Sequence, residues 1–170
     1  MTHLSKAFGL LALVALAACA NPDRFGGDNT VDLNSQAGLD DSLGAADPAS
    51  VAYFTSTVGD RVLFAVDQST IGPQAQQTLA AQAAWLIDNR EFTALIEGHA
   101  DEQGTRVYNF NLGEKRANAV REFLISQGVS AGRIQTISYG KERPLEICSD
   151  ETCYSKNRRA VTVVAAGAIS

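Results

Sequence analysis

Apolar residues along the chain form one unbroken run near the N-terminus and then, beyond a polar gap, a series of short segments. The run, Ala7 to Ala18, is almost wholly Leu, Ala, Val, Phe and Gly. It is about a dozen residues long, too short to cross a bilayer as a helix, which takes roughly 20. Residues 20–50 show no helical or strand periodicity. Beyond them Val51–Phe54 and Arg61–Val66 are apolar and β-prone, with Gly59-Asp60 between them as a turn signal. Ile71-Gly72-Pro73 reads as a helix start, because Pro suits the first helical position. Leu79, Ala83, Leu86 and Ile87 then recur at helical spacing as far as Asn89. Thr93–Glu97 is a short strand ending at Gly98.

A second helix is predicted from about Thr105 to Gln127. Its apolar face holds Tyr108, Leu112, Ala119, Val120, Phe123 and Leu124, and Gly128 ends it. Ile134–Ser138 alternates as a strand turned by Tyr139-Gly140, and Ala160–Val164 is the last strand. The order β(β)αβαββ predicts an α+β domain over 51–170, with a mixed sheet and two main helices packed on one face.

Composition narrows the reading. The chain is 45% hydrophobic by residue type and 19% charged, and it has a single long apolar run, which excludes a multi-pass membrane protein. Lys and Arg total 14 against 19 acids, a net charge of −5. No global positive field exists to hold nucleic-acid phosphates, so nucleic acid is not an expected partner. The N-terminus has one Lys ahead of the apolar run, the pattern of an export signal over residues 1–18. The run closes on Leu16-Ala17-Ala18-Cys19, which resembles the bacterial lipobox. That resemblance implies cleavage before Cys19 and acylation of its thiol; the alternative is a non-lipidated signal cut at small residues. Several acyl chains anchor durably where one holds only marginally. Ala20 and Asn21 follow the Cys, and the absence of Asp there favours the outer membrane, again by resemblance.

Residues 19–50 then read as an acylated cysteine and a flexible acidic tether, with six Asp and one Arg. Its r.m.s. reach is about 30 Å. In an oxidising compartment the expectation for Cys148 and Cys153 is a disulfide in the loop before the last strand. The other readings are free thiols, or a metal with His99 as third ligand. Zinc usually takes four ligands with paired spacings, and the chain offers few.

The densest polar stretch is Ile96-Glu97-Gly98-His99-Ala100-Asp101-Glu102-Gln103-Gly104-Thr105, followed by Tyr108-Asn109 and by Leu112-Gly113-Glu114-Lys115-Arg116-Ala117. It crowds the C-terminal end of a strand, where a rigid scaffold positions loop residues. Asp101 pairs with cations, and Arg116 grips carboxylates through parallel N–H bonds, so together they suit a zwitterion. Thr105 and Asn109 supply hydroxyl and amide groups to orient it. His99 reads as a hydrogen-bonded scaffold residue.

The segments EGHADEQGT, YN, LGEKRANAV and SKNRRAV resemble the OmpA-like C-terminal domain family, and within it the peptidoglycan-associated lipoproteins. The resemblance covers about 51–166 and includes the loop from Phe64 to Ile71. It implies non-covalent binding of the peptidoglycan peptide stem at meso-diaminopimelate, with Asp101 accepting the ammonium and Arg116 holding the carboxylate. Asp67, Thr70, Thr105, Asn109 and Leu112 match positions lining the same pocket, and Asn157 and Arg158 fall in a motif near it. Val66 stands where Phe is common in the family, and Gln103 where Arg is frequent. As partners the resemblance implies the periplasmic β-propeller of the Tol system and other Tol components, with a role in envelope integrity and division, and it implies no cofactor and no metal.

Two other classes compete. A hydrolase using Asp101 and Glu102 is disfavoured, because adjacent residues on an extended turn point apart. A structural lipoprotein acting mainly through protein partners remains the alternative.

Overall fold

The structure is a computed structural model, and it describes residues 46–167. The expected signal segment, Cys19 and the tether up to residue 45 lie outside the described residues. The chain enters as α1 (Val51–Tyr53), which runs on as a π-helical stretch, Phe54–Gly59. Then follow β1 (Arg61–Leu63), α2 (Pro73–Asp88), β2 (Phe92–His99) and α3 (Arg106–Ser126). A 3₁₀ turn, Ala131–Arg133, leads into β3 (Ile134–Gly140), α4 (Glu151–Asn157) and β4 (Arg159–Ala166).

The sheet order is β1-β4-β2-β3. β1 and β2 flank β4 antiparallel, while β2 and β3 run parallel, so the sheet is mixed. Both long helices cover one face. Leu79, Ala83 and Leu86 of α2 and Ala117, Val120 and Leu124 of α3 share a core with Val62, Ala94, Ile96, Ile134 and Val164 of the strands. The α+β class, the mixed sheet and the two helices on one face are as the sequence predicts.

The first expected strand, Val51–Phe54, is helical instead. Ser50 caps it, its side chain accepting from the Tyr53 amide, and the Thr55 and Ser56 hydroxyls donate back to the Val51 and Ala52 carbonyls. A short apolar run carries no period of its own, and burial decides: Phe54 is fully buried, its ring 4.8 Å from that of Trp85. The Trp85 indole donates to the Pro48 carbonyl at 2.7 Å, so residues just ahead of α1 pack on the domain. β1 also stops short of Val66. Its last rung is the Phe64 amide on the Arg158 carbonyl, after which the chain leaves the sheet. The loop expected around the cysteines contains α4, capped by the Asp150 carboxylate on the Thr152 and Cys153 amides.

Helix α3 lies unusually close to β2. A Cβ placed on Gly98 would come 1.9 Å from the Gly113 carbonyl oxygen, and one on Gly113 would come 2.4 Å from the Ser138 hydroxyl. The two glycines are an approach no larger residue permits. Arg133 closes the other end, donating to the Leu86 and Asn89 carbonyls that α2 leaves open at its C-terminus and to the Phe92 carbonyl at the start of β2. We expect Gly98→Ala to cost about 3 kcal/mol or more in urea unfolding, because backbone rather than a flexible side chain must move. A cost below about 1 kcal/mol would show that α3 is free to shift.

Candidate functional site

The polar stretch found in the sequence forms one wall of a cleft. The cleft lies where β2 ends, between the loop that leaves β1 and the first turns of α3. Thr105 starts α3 as its cap, its hydroxyl accepting from the Tyr108 amide. Val66, Asp67, Asp101, Gln103, Tyr108, Asn109 and Leu112 line an open chamber of about 240 Å³. The loop wall is braced. The Asp101 carboxylate accepts from the Gln103 amide, Asn109 Nδ2 donates to the Gln103 carbonyl, and Lys141 donates to the carbonyls of Glu102 and Gly104.

Of the expected site residues, Asp67, Asp101, Asn109 and Leu112 line this chamber. Arg116 does not present itself to solvent. Its side chain is fully buried, and its guanidinium donates to the carbonyls of Gln68, His99 and Ala65 at 2.8, 2.8 and 3.2 Å. Burial draws its pKa down to about 10, opposed by Asp101, so it stays charged at neutral pH. Arg116 thus sits beneath the cleft with Phe64 against it, its guanidinium carbon 5.2 Å from the ring centre. The Asp101 carboxylate is not paired with Arg116 but lies 3.2 Å from Arg158. Arg158 also pairs with Glu151 and donates to the Phe64 carbonyl. Those carboxylates raise its pKa, and its hydrogen bond lowers that of Glu151.

The remaining candidates fall elsewhere. Asn157 is fully buried and spends its amide on Leu145 and Glu146, accepting from both amides and donating to the Glu146 carbonyl. It holds a loop rather than the cleft. Thr70 is exposed and lines neither this chamber nor its neighbour. Cys148 and Cys153 are joined as a disulfide, with Cα atoms 5.8 Å apart.

Tyr108 was expected on the apolar face of α3 but is about half exposed. Its hydroxyl donates to the Asp67 carboxylate across the cleft, which raises the pKa of the phenol. Its position one turn into a helix beside polar residues was the available signal. His99 is buried but not hydrogen-bonded: neither ring nitrogen has a partner among the described residues, and Nε2 is 3.7 Å from Glu97. Burial, reinforced by Arg159 and Arg143, pulls its pKa down to about 4, so the ring is neutral. The Asn109 Oδ1 atom is likewise buried without a partner.

Known proteins share both sequence and fold. The OmpA family matches residues 63–158, more than half of the chain. The peptidoglycan-associated lipoprotein of Mesorhizobium japonicum is 49% identical over 164 residues, 96% of this chain and 94% of that protein. That of Brucella melitensis is 49% identical over 158 residues, 93% of this chain and 90% of that protein. The crystal structure of the peptidoglycan-associated lipoprotein from Burkholderia pseudomallei superposes with a TM-score of 0.64 at 35% identity, over 72% of this chain and 99% of that one.

Arg116 is fully buried, so its removal bears on the fold as well as on the cleft. Arg116→Ala strips three carbonyls of their donor, and unsatisfied buried groups cost roughly 1–3 kcal/mol each. We expect a loss of about 3 kcal/mol or more by denaturant unfolding. For His99 the folded pKa lies below the ordinary value of 6.5, so the unfolded chain takes up the proton first as pH falls. Its contribution is complete above that value and drains away down to about 4. Relative to His99→Gln, wild-type stability should therefore fall by on the order of 2 kcal/mol across that window. Parallel curves for the two proteins would contradict it.

Proposed function

The chain belongs to the OmpA family and, within it, to the peptidoglycan-associated lipoproteins, and from that membership we propose that its cleft binds the peptide stem of peptidoglycan without covalent linkage. The observation that carries the reading is that two residues with acceptor oxygens line one small chamber: Asp101, and Asn109, whose Oδ1 is buried without a partner among the described residues. An ammonium has donors and no acceptor, so it suits both oxygens at once. The side-chain end of meso-diaminopimelate carries an ammonium and a carboxylate on one carbon. Asp101 and Asn109 take the ammonium, and Arg116 takes the carboxylate from beneath. To do so the guanidinium exchanges its longest contact, that with the Ala65 carbonyl at 3.2 Å, for the ligand. Leu112 supplies an apolar surface for the methylene chain. Thr105, as the cap of α3, and Arg158, as the partner of Asp101, support the site rather than line it.

In this reading residues 1–18 are a cleaved signal, acyl chains at Cys19 hold the protein in the outer membrane, and the acidic tether carries the domain to the wall. Many weak clamps on one membrane sheet gain from effective concentration, so a modest single-site affinity suffices. The protein is a binder rather than a catalyst. It works with the β-propeller and other components of the Tol system to keep the membrane on the wall, notably at division.

The test is co-sedimentation of the mature chain, residues 19–170, with whole peptidoglycan sacculi, beside Asp101→Asn. Arg158 keeps Glu151 as a partner in the variant, so the fold should persist, as circular dichroism will report. We expect wild type to pellet and the variant to lose at least about tenfold in binding, since charge-assisted hydrogen bonds are lost. A folded variant that pellets like wild type removes Asp101 from the site. Wild type left in the supernatant refutes wall binding.

A further inference from the structure

The cleft has a second chamber of about 210 Å³ on the far side of Tyr108. Asp67, Tyr108 and Leu112 line both chambers, so the Tyr108–Asp67 hydrogen bond stands between them like a strap. Asp67 holds a left-handed backbone, with φ of +57°, which only a few per cent of non-glycine residues adopt. The bond to Tyr108 fixes that strained residue at the divide. Beyond it the lining changes character. Gln68, Ser69, Asn111 and Lys115 offer an ammonium, a hydroxyl and two amides, all of them able to donate. Lys115 makes no ion pair or hydrogen bond among the described residues. Tyr108, Asn111, Leu112 and Lys115 recur at helical spacing, so one stripe of α3 runs from the first chamber into the second.

The first chamber is lined by the Asp101 carboxylate and Asn109, the second by donors and the Lys115 cation, with Asp67, held by Tyr108, at the divide between them. A ligand that spans both must carry a cationic end and, further along, an anionic group. We infer that the second chamber holds a second carboxylate of the same stem peptide, with Lys115 as its cation. The inference rests on the peptidoglycan reading of the first chamber and adds the next contact along the ligand. That carboxylate is either the main-chain terminus or the acidic residue preceding the diamino acid. The chemistry recognised is the same in both.

Binding of the mature chain to three probes separates these cases: a stem tripeptide ending in diaminopimelate, the same peptide amidated at its main-chain carboxylate, and the same peptide amidated at the preceding acidic residue. Lys115→Gln should weaken the unmodified peptide by about fivefold, the scale of an exposed ion pair. Lys115→Arg should retain affinity. One of the two amidations should weaken wild type by the same factor and leave Lys115→Gln no further loss, which names the carboxylate. Lys115→Gln binding the unmodified peptide as wild type does would overturn the inference. So would an equal loss on all three probes, since Lys115 would then act only through its general field. If wild type binds none of the probes, the stem-peptide reading itself falls, and this one with it.

Discussion

A guanidinium with no exposed surface must be matched by acceptors, and Arg116 finds its acceptors in carbonyls from two separate segments. Ala65 and Gln68 belong to the loop leaving β1, and His99 closes β2, so one cation on α3 fixes the spacing of three elements. Burying that charge costs several kcal/mol, and the hydrogen bonds to three carbonyls, with Asp101 and Asp67 nearby, offset it. The arrangement requires α3 to lie close to β2. The approach of Gly113 to Gly98 provides that, because neither residue has a Cβ to hold the helix away. Cleft, loop and helix therefore stand or fall together.

A second set of contacts aligns the acid. Asp101 is held by Arg158, which is held in turn by Glu151 at the start of α4. Within α4, Cys153 is tied to Cys148, and Asn157 at its end fixes Leu145 and Glu146. The disulfide closes a short loop and contributes roughly 2 kcal/mol by chain entropy. Its place in this series suggests a physical reason for spending cysteines here. It stiffens the small helix whose first turn steadies the arginine beside the Asp101 carboxylate.

Net charge cannot attract an acidic polymer to this protein, since both are negative. In the proposed reading recognition depends on local placement instead, with Arg116 buried below the cleft, Asp101 and Asn109 lining it, and Lys115, unpaired among the described residues, at one end. Buried charges of this kind are screened far less by salt than exposed ones.

Much was legible in the sequence. The periodicities of α2 and α3, the strands of the sheet, the α+β class and the loop bearing Asp101 all follow from local pattern, because amphipathic spacing is a local property. Tertiary structure decided the rest. Val51–Phe54 has a strand-like composition but became a helical segment because Phe54 could bury against Trp85. Arg116 read as a carboxylate clamp, and only the approach of α3 to the sheet put it underground. Tyr108 looked apolar and Asn157 looked like a ligand; their hydrogen bonds to residues distant in sequence assigned them otherwise. A sequence states which groups are available. Which carbonyl, carboxylate or solvent each one meets is fixed by contacts between segments far apart along the chain, and those have no local signature.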